Sequence, residues 1–219
     1  MEMLKVVGLG PGDPELLTIK GYNALLNADI IFYPKTSLNS AENILNLLKI
    51  DKEKIKALEF PIGSDKIPEI SKKYAEMIMG SCRKGLKTAY AVEGEPMLYS
   101  TFLDIMPYIN MEFTIIPGIS SMNGISAAMK IMLATKDQDL LVLPAINNYE
   151  YMESKIMSSQ NIVIFKAIRA KKIIKEILEK NSINDFYIMS NVSTEKERAY
   201  NNINDIKDYM TVVVIKRYI

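Results

Sequence analysis

The sequence predicts an α/β protein of two lobes. Short apolar runs alternate with amphipathic stretches along the chain, loops dense in Gly and Pro follow directly on several of those runs, and 219 residues suffice for two compact lobes of about 100 residues each. Such alternation reads as a largely parallel architecture. Met3 to Leu9 is a buried strand, and it runs into Gly8-Leu9-Gly10-Pro11-Gly12-Asp13-Pro14, where Gly and Pro can continue neither strand nor helix. From Glu15 to Asn27, Leu16, Leu17, Ile19, Ala24, Leu25 and Leu26 recur near helical spacing, with Glu15 favourable at a helix amino terminus. Ala28 to Tyr33 is the second strand, ended by Pro34.

Helices around Asn39 to Lys49 and Pro68 to Met79, then strands from Lys87 to Val92 and Glu112 to Ile116, extend the alternation. Gly80-Ser81-Cys82-Arg83-Lys84-Gly85 reads as a loop with Cys82 as filler. After Pro117-Gly118 the pattern restarts with a helix near Ser120 to Met132 and strands near Leu140 to Leu143, Ile162 to Phe165, Phe186 to Ser190 and Met210 to Lys216. Ala170 to Lys180 is the clearest amphipathic helix there. A boundary at residue 117 gives lobes of residues 1–117 and 118–219 with a cleft between them, and such clefts are favoured places for ligands.

Composition narrows the chemistry. The chain has 0 histidines, which excludes Ser-His and Cys-His catalysis and removes the commonest transition-metal ligand. Its single cysteine forms neither an internal disulfide nor a thiolate cluster, so no metal site is expected. Lys plus Arg is 27 against 26 Asp plus Glu, a net charge of +1, which disfavours electrostatic nucleic-acid binding. No cationic segment followed by a long apolar run opens the sequence, and no apolar stretch reaches the roughly 18 to 20 residues of a membrane span. A soluble cytoplasmic protein is the expectation.

Three segments carry candidate chemistry. Gly8 to Asp13 lies between a strand and a helix, where glycines let backbone groups approach a ligand and the helix start is partially positive. It is neither a Walker loop nor a dinucleotide fingerprint, lacking G-K-[ST] and placing Asp13 where the third glycine of G-x-G-x-x-G belongs. Taken alone it is equally a strand-to-helix turn without a ligand. Glu93-Gly94-Glu95-Pro96-Met97-Leu98-Tyr99-Ser100-Thr101 follows another strand and offers hydroxyls, or is simply a sharp turn. Ile116-Pro117-Gly118-Ile119-Ser120-Ser121-Met122-Asn123 is a strand, a Pro-Gly turn and serines that either face a ligand or cap a helix.

Together, in this order, the segments resemble the tetrapyrrole methylase family, whose members show a GxGPGDxxLLT opening, a GDP loop and an IPGISS segment. Here these read Gly8 to Thr18, Gly94-Glu95-Pro96 with Glu in place of Asp, and Ile116 to Ser121. The resemblance spans essentially the whole chain. It implies two αβα lobes, S-adenosylmethionine (product S-adenosylhomocysteine) folded in the cleft between them, a tetrapyrrole substrate and a homodimer. Phe32-Tyr33-Pro34-Lys35-Thr36, Pro96 to Phe102 and Gly118 to Asn123 are most similar to the branch that methylates C-20 of precorrin-2 or cobalt-precorrin-2 in cobalamin biosynthesis. The sirohaem-type branch instead places an acidic residue at Pro34.

Position by position, the resemblance implies cofactor contacts at Pro11, Gly94, Glu95, Leu98, Ser120, Ser121 and Lys166, with Asn202 and Val213-Val214 near the adenine side. For a polycarboxylate substrate, Lys35, Lys130, Lys136 and Arg169 are the candidate cations, with Tyr99 and Thr101 beside them. Tyr99 or Glu95 could accept the proton that leaves the methylated carbon, unless water does so. The other readings are a sibling acting on a different corrin intermediate, on diphthine or on ribosomal RNA, a nucleotide-phosphate binder, and a non-catalytic S-adenosylmethionine-binding module in which Glu95 marks decay of the site.

Overall fold

The computed structural model describes residues 4–61 and 65–217, so Met3 of the first expected strand lies outside the described residues. By its internal contacts the chain divides into two units, Met1–Ser120 and Ser121–Ile219.

In the first unit β1 (Leu4–Gly8), α1 (Ile19–Leu26), β2 (Ile30–Lys35), α2 (Ser40–Leu47), β3 (Ile55–Glu59), α3 (Ile67–Arg83), β4 (Thr88–Val92), α4 (Phe102–Ile105) and β5 (Phe113–Ile116) follow in order. The five strands form one sheet, β3-β2-β4-β1-β5, with every pair parallel. Strand alternation sorts its side chains. Val7, Ile31, Ala89 and Ala91 face α1 and α2 through Leu25, Ile44 and Leu45, while Leu4, Val6, Phe32, Tyr90 and Val92 face α3 and α4 through Ala75, Ile78, Met79, Phe102 and Ile105. The result is a helix–sheet–helix sandwich.

Three expectations are corrected here. The helix foreseen over Glu15–Asn27 is two pieces, because Leu17 and Thr18 are extended. Asp13 caps a 3-10 turn at Pro14–Leu16 by accepting the Glu15 N–H (2.8 Å), and Thr18 then caps α1 by accepting the Gly21 N–H (3.0 Å). Pro34 does not end β2 but sits inside it, opposite Leu58; β4 leaves the ladder after Phe32, so one neighbour remains and a missing donor is tolerated. Cys82 is not in a loop: α3 continues four residues past Met79, and Cys82 is buried on the face that carries Ala75, Ile78 and Met79.

The second unit runs α5 (Ser121–Met129), β6 (Leu140–Pro144), α6 (Tyr149–Met157), β7 (Asn161–Phe165), α7 (Lys171–Lys180), β8 (Phe186–Ser190), β9 (Arg198–Tyr200) and β10 (Thr211–Lys216). Its five-stranded sheet is β6-β7-β10-β8-β9. Ile162, Ile164, Ile188, Val213 and Ile215 pack against α6 and α7 through Met152, Ile156, Ile174 and Ile177, whereas Val163, Met189, Val212 and Val214 pack on Ile125 of α5. The parallel expectation fails in this unit: only β6 and β7 are parallel among its paired strands, since the last strand, β10, inserts antiparallel between β7 and β8, and β8–β9 is a further antiparallel pair.

Candidate functional site

In the first unit β1 lies between β4 and β5, so the three Gly-containing loops leave the carboxyl edge of one sheet side by side, the edge where open α/β sheets bind ligands. They touch by backbone. Leu9 N–H donates to Val92 O and Gly94 N–H donates to Gly10 O, both at 2.8 Å, so the first loop is stitched to the second. Gly10 and Gly94 adopt φ of +82° and +70°, a left-handed region that favours glycine. On the other flank a Cβ at Gly118 would stand 2.1 Å from Gly94 O and 2.9 Å from Gly8 Cα, and one at Gly8 would stand 2.6 Å from Gly118 N. The close approach of these chains therefore excludes any side chain.

A carboxylate completes the assembly. Glu95 Oε1 accepts the Met97 N–H (3.0 Å), and Oε2 accepts the Gly118 N–H (2.9 Å) across 23 residues of sequence. The rest of the second loop is tied inward: Leu98 N–H donates to Glu95 O (3.2 Å), and the Ser100 hydroxyl donates to Pro96 O (2.5 Å). Thr101 Oγ1 lies 3.2 Å from the hydroxyl of fully buried Tyr90, whose phenol burial pushes well above its ordinary value. Tyr99 is held at φ +52° with 38% of its surface exposed. A bulky residue in that region is a strained position of the kind that clusters at functional sites.

The other expected residues of this unit fall as follows. Pro11 and Ser120 are buried and Leu98 is half-buried. Lys35, at the end of β2, is ion-paired with Glu59 of β3 at 3.6 Å. In the second unit Ser121 opens α5, and Lys166 follows β7 at φ +56° with its ammonium 5.8 Å from the Tyr209 ring. Arg169 is exposed in a 3-10 turn, and Lys130 and Lys136 are exposed at φ +54° and +48°. Asn202 accepts the Asn204 N–H and is exposed, while Val213 and Val214 are buried within β10. Sequence reasoning missed the part played by Gly8, Gly118 and Tyr90: the glycines were visible as motif letters, but nothing local signals that they pack on each other.

Comparison with known proteins gives the family and the fold. A model of the tetrapyrrole (corrin/porphyrin) methylases matches residues 3–207. The probable cobalt-precorrin-2 C(20)-methyltransferase of Methanocaldococcus jannaschii is 31% identical over 97% of this chain and 95% of its own. The precorrin-2 C(20)-methyltransferase of a Sinorhizobium species is 26% identical over 95% of this chain and 93% of its own. Among solved structures, uroporphyrin-III C-methyltransferase from Thermus thermophilus complexed with S-adenosylhomocysteine shares the fold with a TM-score of 0.69, at 18% identity and 96% coverage of each chain. The family match extends through all three glycine loops, and this chain belongs to the tetrapyrrole (corrin/porphyrin) methylases.

Proposed function

We propose that this protein is an S-adenosylmethionine-dependent C-methyltransferase of cobalamin biosynthesis that methylates C-20 of precorrin-2 or cobalt-precorrin-2. The observation that carries the reading is its likeness, along nearly the full length of both chains, to C-20 methyltransferases. The residues fit the methyl donor by a feature of the site itself. At Gly94 no atom lies within 4 Å of the point a Cβ would occupy, so bare backbone faces open space at the carboxyl edge of the sheet. Pro11, Gly94, Leu98 and Ser120 of the first unit would hold it, with Glu95 tying their loop to Gly118 in place of the direct contact the resemblance implied, and motif position assigns Ser121 and Lys166 of the second to the same ligand.

When bound, S-adenosylmethionine supplies a methyl group on a sulfonium, whose leaving group is already activated. What remains for the protein is orientation and exclusion of water. The stitched glycine loops supply a rigid wall, and the partly exposed ring of Tyr99 suits the face of a macrocycle. Lys35 and Arg169 suit the substrate's carboxylates. Both Glu95 oxygens are committed to backbone N–H groups, and water is the proposed acceptor of the departing proton. The family resemblance also supports a cytoplasmic location and a homodimer, the latter read directly by light scattering of the purified protein.

The test is incubation with S-adenosylmethionine and metal-free or cobalt-loaded precorrin-2, followed by mass spectrometry of the macrocycle. Addition of a single methyl group to either form is expected. Binding of S-adenosylhomocysteine without methylation of either would overturn the substrate assignment, and absence of binding would overturn the methyl-donor site itself.

A further inference from the structure

We infer that Glu95 is a positioning residue, a brace that fixes the Pro117–Gly118 turn to the loop after β4, and is not the proton acceptor of the reaction. The third glycine loop leaves β5, an edge strand whose ladder with β1 ends at Ile116. Beyond that point Gly118 seats against Gly8 and under Gly94 O, and its N–H is taken by Glu95 Oε2 at 2.9 Å. The anchor is itself rigid, because Oε1 accepts the Met97 N–H and the Ser100 hydroxyl closes the same loop on Pro96 O.

Arm length makes the inference specific. Aspartates elsewhere in this chain accept the N–H two residues on, Asp13 from Glu15 (2.8 Å) and Asp51 from Glu53 (2.9 Å). Glu95 makes that same local contact and, with one more methylene, also reaches Gly118. An aspartate here would keep the local turn and lose the reach. The Glu in the GDP-like motif is thus a second means of fixing the wall of the site. As a consequence, its removal loosens the wall and weakens cofactor binding without touching the chemical step, an inference that rests in this part on the proposed methyl-donor site.

The test compares wild type with Glu95→Asp and Glu95→Gln in three measurements: amide exchange at Gly118 in the ligand-free protein, affinity for S-adenosylhomocysteine by calorimetry, and the pH profile of kcat at saturating S-adenosylmethionine. Loss of the hydrogen bond to Gly118 is expected to speed its exchange by about tenfold or more and to raise the Kd about tenfold in Glu95→Asp, with smaller changes in Glu95→Gln, whose amide oxygen keeps the arm length and can still accept. At saturating cofactor, kcat should fall less than about threefold and keep its pH profile, as for lost uniform binding. Unchanged Gly118 exchange in Glu95→Asp would overturn the brace. So would an unchanged Kd with a collapse of kcat and loss of its acidic limb, the signature of a general base. If Glu95→Gln does not fold, Glu95→Asp decides by the same readings. Should wild type itself fail to bind S-adenosylhomocysteine, the functional reading falls while the exchange data alone decide the brace.

Discussion

Replacing Gly118 with alanine would press a methyl group to 2.1 Å from Gly94 O, a backbone atom that cannot step aside. Overpacking of this kind costs about 1–3 kcal/mol or more. Gly118→Ala is expected to lower the thermal midpoint and abolish S-adenosylhomocysteine binding, and wild-type affinity in that variant would refute the backbone-on-backbone packing. Tyr90→Phe addresses the neighbouring loop. It removes a hydroxyl 3.2 Å from Thr101 Oγ1 in a fully buried place, and denaturant titration should show a loss of about 1 kcal/mol with m unchanged. At this scale the sequence was partly legible. The motifs located Gly94, Glu95 and Gly118 on their loops and Gly8 at the end of β1, yet the bond from Glu95 to Gly118 spans 23 residues and is a product of strand order, which no local pattern encodes.

Helix α3 carries two contrasting small residues. Cys82 is buried at 1% exposure against Ala75, Ile78 and Met79, so a thiol reagent should leave it unmodified in the native protein and label it on unfolding. Native-state labelling would contradict the length of α3. Gly80, by contrast, has no atom within 4 Å of its absent Cβ, so Gly80→Ala is expected to raise stability by roughly 0.5–1 kcal/mol through the entropy of the unfolded chain. Strands with continuous apolar runs, such as β4, β7, β8 and β10, were legible because both their faces are covered. Strands β3 and β9 were not, since both lie at sheet edges and bury a single residue each, Leu58 and Tyr200, which leaves no run to see. Helix α6 also escaped notice; its start is marked by Asn148, which accepts the Tyr151 N–H at 2.8 Å, in a stretch of mixed polarity.

Across the molecule, alternation of helix and strand gave away two helix–sheet–helix units but not the direction of the second sheet. A strand buried on both faces reads the same whichever way its neighbours run, and the antiparallel insertion of β10 is a matter of connection. Alkaline stability follows from buried phenols. Burial, followed by the hydrogen bond and charge of Glu42, pushes Tyr33 up to about 12, and burial raises Tyr90 further. Their unfolded counterparts ionise near pH 10, so this contribution is whole below about pH 10 and is lost as the pH rises towards 12. Chemical denaturation between pH 9 and 12 should show that decline, with a shallower slope in Tyr33→Phe. For the central claim, the position of the transferred methyl group is the most direct measurement: carbon NMR of the product formed from methyl-labelled S-adenosylmethionine and either form of precorrin-2. The label is expected on the bridging C-20 carbon, and a label on any other ring carbon would overturn C-20 specificity.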